Sequence, residues 1–541
     1  MLSQTLQHPV KRDIVFFILL LLACWMVGWD SALSKQQSEP HLWRQSDCLS
    51  LAMNYAKGNS FFEPEIHSRI SDNGTSGKTA AEFPVIYYAV GKIWSVTGMQ
   101  IWIFRLFTGL LGVIALLCLY RTLLLITGGN WFWSALGPML LLASPIYVFY
   151  GIGFLTNVPA FDCTLIAWYF FVRYVYDPRE KLLAWSMLFF TLSVLLKISA
   201  FTSFIILVFV FVTDTTGIIR YRSNGKLFRR PLVAAGLLLI PVVSSLLWQL
   251  GFVEPYCALH GGRYSFTSPV PVWEYSAKEQ KHIWEIFFTY TIYQIFPVWI
   301  WLAGGAGLVY LCSQFRKVNW FWLFSIPAML AGHLSFSLLF FFCLDGHDYY
   351  HADVLFLFVL IYGGVVHHLG RAETELLKSR FARFAVVGVT LYALYGSATN
   401  LKLRFFGEYG NEVSTGAFES KATIETLNRF AGDFYLMRTY RLVGNELDKR
   451  GFADTVPVIS INDVSFNSTL VMMHRPGYTN MENWFSDSAT TADRIRKGAQ
   501  LLIVENPALE RRGVTRFMGY HLFSAGHIAV YDLRPYAAAL K

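Results

Sequence analysis

Apolar residues are gathered into long blocks separated by short polar stretches, and this distribution limits the fold more than any motif does. A helix needs about 20 predominantly apolar residues to cross the hydrocarbon core of a bilayer. By that measure spans are predicted at 14–28 and near 101–121, 131–150, 158–174, 182–197, 198–213, 231–251, 292–312, 319–344, 352–369 and 384–398, eleven in all. The first follows Lys11 and Arg12 and is trailed by the polar Trp29, Asp30 and Ser31, with no small-residue cleavage site, so it is read as a retained helix. Of the 541 residues 54% are hydrophobic and 15% charged, against about 25% charged in ordinary soluble domains, which excludes both a soluble enzyme and a disordered protein.

The net charge of +9 could point to nucleic acid, but Lys and Arg cluster at the ends of apolar blocks, where membrane orientation places them. With the N-terminus inside, the inner segments hold Lys11, Arg12, Arg121, Arg173, Arg179, Lys181, Arg220, Arg222, Lys226, Arg229, Arg230, Arg316, Lys317, Arg371, Lys378, Arg380 and Arg383, whereas the outer turns 151–157 and 345–351 hold no Lys or Arg. Two outer loops are long, about 29–100 and 252–291, and long loops are largely exempt from the charge rule. Eleven spans leave the C-terminal segment outside, and the tight hairpin at Lys197 is the pivot of that count. The seven cysteines are scattered without a CxxC pair, which argues against zinc and redox chemistry.

Beyond residue 400 the composition turns polar. Short buried strands are predicted at 456–461, 500–504 and 527–533 and helices at 419–449 and 489–498, making 401–541 an extracytoplasmic α/β domain beside a transmembrane domain at 1–400. That domain has no dinucleotide fingerprint, P-loop or nucleophile elbow, so no chemistry is assigned to it.

In the first outer loop, Trp43–Ala56 mixes apolar residues with Arg44, Asp47 and Asn54, as does a helix lying at the membrane surface, and Arg44 and Asp47 share a face. Glu82-Phe83-Pro84 leads into an apolar run at 85–96. Asn157 with Asp162 one turn deeper, Lys197, and the stretch Asp345-Gly346-His347-Asp348-Tyr349-Tyr350-His351 all fall at the same predicted face. Ionisable groups at that depth are costly and usually line a cavity, although a structural ion pair accounts equally well for any one of them alone.

The order Trp43-Arg44-Gln45-Ser46-Asp47, AMNYAKG at 52–58, EFPVIYYAVGKIWSVTG at 82–98 and Arg105-Leu106 opening a span resembles the GT-C polytopic glycosyltransferases, in particular the protein O-mannosyltransferase-like and ArnT-like branches. GFLTNVPAF at 153–161, LSVLLKISA at 192–200 and GHDYYHADVLFLF at 346–358 extend the likeness over nearly all of 14–370. The resemblance implies a polytopic α-helical GT-C fold of about eleven spans and transfer of a sugar from a polyprenyl-phosphate donor to an acceptor hydroxyl on a glycan, lipid or protein, with inversion. It also implies a first-loop carboxylate as general base, and cations or donors around the departing phosphate. Where the family usually has a D-E-x-x-Y element this chain reads Arg44-Gln45, so Asp47 is ranked first as the base, then Asp30, then Glu82. Asn157 stands where many relatives have a second acid. Arg44, Lys197, Asn157, Arg263, His347, Tyr349 and Tyr350 are the expected donor phosphate or sugar contacts. No metal-ligand spacing is recognisable, and a divalent ion (Mg or Mn) near Asp47 and Asp348 is the lesser alternative.

A polysaccharide polymerase or ligase is the next reading, and loop 252–291, with Arg263, Lys278, Lys281 and His282, carries few cations for it. A transporter would place its charges near the midplane and show paired repeats, neither of which is evident here. The expected location is a bacterial inner membrane, with the N-terminus cytoplasmic and the C-terminal domain periplasmic; the endoplasmic reticulum is the alternative. Asn73-Gly74-Thr75 and Asn467-Ser468-Thr469 are sequons on the predicted outer side.

Overall fold

A computed structural model describes residues 9–540 except 39, 223–224, 262–268, 372–374, 406–437 and 508–512. Every expected span contains a helix: Pro9–Met26, Ile101–Ile126, Trp131–Leu142 with Pro145–Gly151, Asn157–Tyr176, Glu180–Leu196, Phe201–Thr216, Pro231–Trp248, Val298–Ser313, Trp320–Leu339, Val354–Arg371 and Arg380–Arg404. Among the described residues seven helices are long and apolar enough to cross a membrane, nine if each of two bent pairs is one span. The two others fall short for local reasons: Pro9–Met26 carries Lys11, Arg12 and Asp13 near its start, and Glu180–Leu196 has only 17 residues. The chain is an integral membrane protein.

Both bends are written in proline chemistry. The ring of a proline disfavours helical backbone in the residue before it. Ser144 (φ −93°, ψ 118°) precedes Pro145, and the helix turns through 76°; Phe296 (φ −152°, ψ 151°) precedes Pro297, and the turn there is 85°. The span expected at 292–312 is therefore the helix Val298–Ser313, entered from a separate helical segment, Ala277–Ile295, most of which falls in the expected loop 252–291. The span expected at 231–251 continues through a wider π turn at Gln249–Val253 into Glu254–His260.

The first-loop helix Leu42–Ala56 corrects its expectation as a surface helix. Most of its side chains are buried, and Trp43 is the large one left exposed. It packs against Val85–Thr97 so closely that a Cβ on Gly91 would lie 2.6 Å from the Tyr55 Cβ and 2.7 Å from the Ala52 carbonyl oxygen, a separation only glycine permits.

Among the described residues five strands, β1 (Val458–Ser460), β2 (Gly477–Thr479), β3 (Leu501–Glu505), β4 (His521–Ala525) and β5 (Ile528–Asp532), form one sheet in the order β2-β1-β3-β5-β4. The β1 pairings with β2 and β3 are parallel and the β5 pairings antiparallel. Alternate residues face two cores. Ile459, Leu502 and Tyr531 pack with Ala492 and Ile495 of the helix Ser488–Arg496, while Val458, Leu501 and Val530 pack with Tyr440, Val443 and Leu447 of a helix at 438–449. The portion of the predicted helix before residue 438 lies outside the described residues.

This domain is docked on the first loop. Gly477 N donates to the His67 carbonyl at 3.0 Å, Arg69 N to the Gly477 carbonyl at 2.7 Å, and the Tyr478 hydroxyl to the Gly74 carbonyl at 2.8 Å. A domain that touches the loop after the first span lies on that loop's side of the bundle, and Lys197 also meets the first loop, as the predicted alternation of spans requires.

Candidate active site

At the end of the bundle where the first loop sits, local breaks in helical geometry bring polar side chains together. Lys197 has extended backbone (φ −156°, ψ 121°) between Glu180–Leu196 and Phe201–Thr216, and the Phe83 N–H bonds to the Leu195 carbonyl at 3.1 Å. That contact sets Lys197 Nζ 3.0 Å from Glu82 Oε1. Arg44 Nη2 pairs with the other Glu82 oxygen, and its Nη1 is 3.8 Å from Asp47 Oδ2, the neighbour three residues along the helix. Asp47 Oδ1 accepts a 2.7 Å hydrogen bond from Asn467 Nδ2 of the C-terminal domain. On the other flank Lys197 Nζ lies 4.9 Å from the centre of the Tyr350 ring, and the Tyr349 and Tyr350 rings are 4.5 Å apart. His41 meets Tyr349 at 4.7 Å and His347 at 5.3 Å.

Burial by itself raises the Glu82 carboxyl, but the opposing charges of Arg44 and Lys197 outweigh it and hold the group well below the usual glutamate range. Glu82 is therefore an anion locked between two cations, poorly suited to take a proton. Burial, reinforced by nearby His41, lowers His347 to about 4, so at neutral pH His347 is a neutral hydrogen-bonding group and not a cation for phosphate.

A group with a depressed folded-state pKa stabilises the protein above its unfolded pKa, about 4.3 for glutamate, and loses that contribution as pH falls towards the folded value. We expect thermal stability in detergent to be insensitive to Glu82 above that range and to decline below it. Lys197→Met, which leaves Glu82 with Arg44 alone, should move the acid-side decline to higher pH in a series of melting curves.

A second network braces the same end. Asp348, fully buried, accepts from Arg404 Nη2 and the Tyr150 hydroxyl, both at 2.6 Å, and its Oδ1 is 3.4 Å from His41 Nε2. Arg404 also donates to Asn400 Oδ1 at 2.8 Å and Gln294 Oε1 at 2.7 Å. Behind the first loop, buried Arg105 donates to the carbonyls of Lys35, Gln36 and Ile152 at 2.8–2.9 Å, tying that loop to the turn ahead of Asn157.

Of the site residues expected from sequence, the structure brings together Arg44, Asp47, Glu82, Lys197, His347, Tyr349 and Tyr350. Asp30 is exposed on the short helix Trp29–Ala32 and joins no described ion pair. Asn157 is buried at the head of its helix, with no hydrogen bond to the cluster among the described residues. Asp162 bonds instead to the Tyr147 hydroxyl at 2.9 Å. Arg263 lies outside the described residues. His41, Tyr150, Gln294, Asn400, Arg404 and Asn467 were not singled out for the site; only Arg404, a cation closing the last apolar block, carried a usable signal.

Among the described residues no three His, Cys, Asp or Glu side chains form a metal-binding group. The carboxylates at which Mg or Mn was considered are engaged by guanidinium and hydrogen-bond donors, Asp348 by Arg404 and Tyr150 and Asp47 by Arg44 and Asn467. That donor set does not fit a divalent ion.

No protein-family model matches the sequence, and no curated protein matches it. Solved structures do. ArnT from Cupriavidus metallidurans bound to undecaprenyl phosphate aligns with a TM-score of 0.56 at 10% identity, over 97% of this chain and 98% of that one. The same protein in the apo state gives 0.53 at 11% identity with the same coverage. The apo oligosaccharyltransferase of Archaeoglobus fulgidus gives 0.51 at 12% identity, over 91% of this chain and 69% of that one. Identities this low speak to architecture alone, and this chain shares the GT-C fold of these solved structures.

Proposed function

We propose that the protein is a membrane glycosyltransferase that moves a sugar from a polyprenyl-phosphate donor to an acceptor hydroxyl at the extracytoplasmic face, with inversion at the sugar carbon. The observation that carries this reading is the cluster itself: a buried carboxylate, Asp47, beside two cations, Arg44 and Lys197, that share Glu82, in a fold whose neighbour binds undecaprenyl phosphate.

The acceptor oxygen forms a bond to the anomeric carbon as the bond from that carbon to the phosphate oxygen breaks. The acceptor proton passes to Asp47, and polyprenyl phosphate leaves with the electron pair. Asp47 is the base in preference to Glu82 because each Glu82 oxygen pairs directly with a cation, whereas Arg44 stands 3.8 Å from Asp47 and Asn467 is neutral. Arg44 and Lys197 face the phosphate, whose negative charge grows in the transition state, and Glu82 holds both in place. Tyr349 and Tyr350 give the sugar an aromatic wall, with neutral His347 as a hydrogen-bonding partner. The membrane is the bacterial inner membrane, the N-terminus is cytoplasmic, and the domain of residues 401–541 is periplasmic.

A ligand that binds only the folded state raises the melting temperature. Undecaprenyl phosphate should therefore raise that of the wild-type protein and have much less effect on Lys197→Ala. An equal shift in both, or none in the wild type, would remove the donor site from this position.

A further inference from the structure

The C-terminal domain does more than cover the membrane domain: it reaches the proposed base. Asn467 is fully buried, and its side chain is spent on the first loop. Its Oδ1 accepts from the Ser68 backbone N–H at 2.9 Å and its Nδ2 donates to Asp47 Oδ1 at 2.7 Å. A backbone N–H can only donate, so the amide oxygen must face Ser68 and the amide nitrogen must face Asp47, which fixes the side chain's orientation from the network.

The segment carrying Asn467 is held by its own hydrogen bonds. Asp463 accepts from Ser465 N at 2.8 Å and from Thr469 N and its hydroxyl at 2.7 Å each, while Asn480 N bonds to the Asp463 carbonyl at 2.7 Å. Asn467 then opens the helix Ser468–Met473, whose side chains are all buried. A donor on so constrained a segment can fix the rotation of a carboxylate.

We infer that Asn467 is a positioning residue for Asp47, so that the C-terminal domain completes the transfer site. The inference rests on the reading of Asp47 as the base. Oδ1 is held by Asn467, and Oδ2 lies on the Arg44 side, 3.8 Å from Nη1. The charged and titratable groups around Asp47 are Arg44 and Cys48 of its own helix, Tyr87 bonded to Cys48 at 3.1 Å, and Glu82 and Lys197 beyond Arg44. Burial raises the Cys48 thiol to about 12, so it stays neutral. A hydrogen bond donated to a carboxylate favours its charged form, so loss of the Asn467 amide is read on the acid limb of the pH profile.

The same burial bears on the sequon Asn467-Ser468-Thr469. An asparagine with both amide atoms engaged and no exposed surface is closed to modification in the folded protein, whereas Asn73 is exposed.

The test is the pH profile of kcat/KM for sugar transfer by full-length purified protein in wild type, Asn467→Ala, Asn467→Asp and Asp47→Asn. Asn467→Asp keeps an acceptor for Ser68 N–H but replaces the donor facing Asp47 with a second carboxyl, so it separates positioning from folding. Both Asn467 variants should lose about 10- to 100-fold in kcat, the scale of a hydrogen bond to a charged group, with donor KM nearly unchanged. Their acid limb should move to higher pH, further for Asn467→Asp. In an Asp47→Asn background, Asn467→Ala should cost little more. If Asp47→Asn is inactive but the Asn467 variants keep the wild-type acid limb, Asn467 is only structural and this inference fails. If Asp47→Asn keeps full activity, the reading of the base fails beneath it.

Discussion

Asp47→Asn should lower kcat for sugar transfer by about 100- to 10,000-fold, the range expected when a positioned general base is removed. The protein should stay folded and the donor KM nearly constant. The substitution is isosteric, and its amide oxygen still accepts from Asn467, so the packing of Leu42–Ala56 survives. What it lacks is a group that can take the acceptor proton. Glu82→Gln should behave differently: it removes the shared counter-ion of Arg44 and Lys197, so its effect should fall on donor KM and on stability. A loss of kcat in Glu82→Gln as large as that in Asp47→Asn, at unchanged donor KM, would mean that the two carboxylates have been assigned the wrong way round. Initial rates across a donor concentration series read both constants.

Arg404→Met should be the most destabilising single change at this end of the bundle. Arg404 and Asp348 are fully buried, and removing one partner of a buried ion pair costs about 3–5 kcal/mol, because the other charge stays out of water without compensation. Tyr150 and His41 would remain near Asp348, but neither carries a fixed positive charge. Asp348 belongs to the segment that presents His347, Tyr349 and Tyr350, so activity should fall with stability. The double variant Arg404→Met, Asp348→Leu should recover much of the melting temperature, since apolar replacement of a whole buried pair is often near neutral. A double variant no more stable than Arg404→Met would point instead to the bonds Arg404 makes to Gln294 and Asn400. Melting curves of the detergent-solubilised single and double variants decide between these.

The contrast between those two predictions also says what the sequence could reveal. Span positions were readable because the bilayer imposes a length and an apolar content on each helix, and strands β1, β3 and β5 because a buried strand leaves a compact apolar run. The helix beginning at Ala277 was missed because its first turns are charged, and the bends at Ser144 and Phe296 because a proline in an apolar run signals a break without its angle. The short β2 and the edge strand β4, with its exposed residues, leave no comparable pattern.

Within the site, Arg44 and Asp47 were legible as a pair because three positions along a helix place them on one face. Their meeting with Glu82 and Lys197 was not, since it depends on how the loop folds back over the bundle. Asn467 lies 420 positions from Asp47, and its local pattern reads as a glycosylation acceptor, a role its burial denies. Asp348 reads from sequence as a carboxylate that could attract an ion, while its partner Arg404 sits 56 residues away at the end of the helix Arg380–Arg404. Pairings of that kind are set by tertiary packing and leave no periodic trace.

The central claim is that this end of the bundle transfers a sugar from a polyprenyl-phosphate carrier. Purified wild-type protein and Asp47→Asn, matched for folding by their melting curves, would each be given a panel of labelled polyprenyl-phosphate sugars with a membrane extract as acceptor source. Labelled product from at least one donor with wild type, and its loss with Asp47→Asn, is the predicted result. A folded wild-type protein that transfers label from none of the donors, or an Asp47→Asn protein that transfers it as well as wild type, would contradict the account.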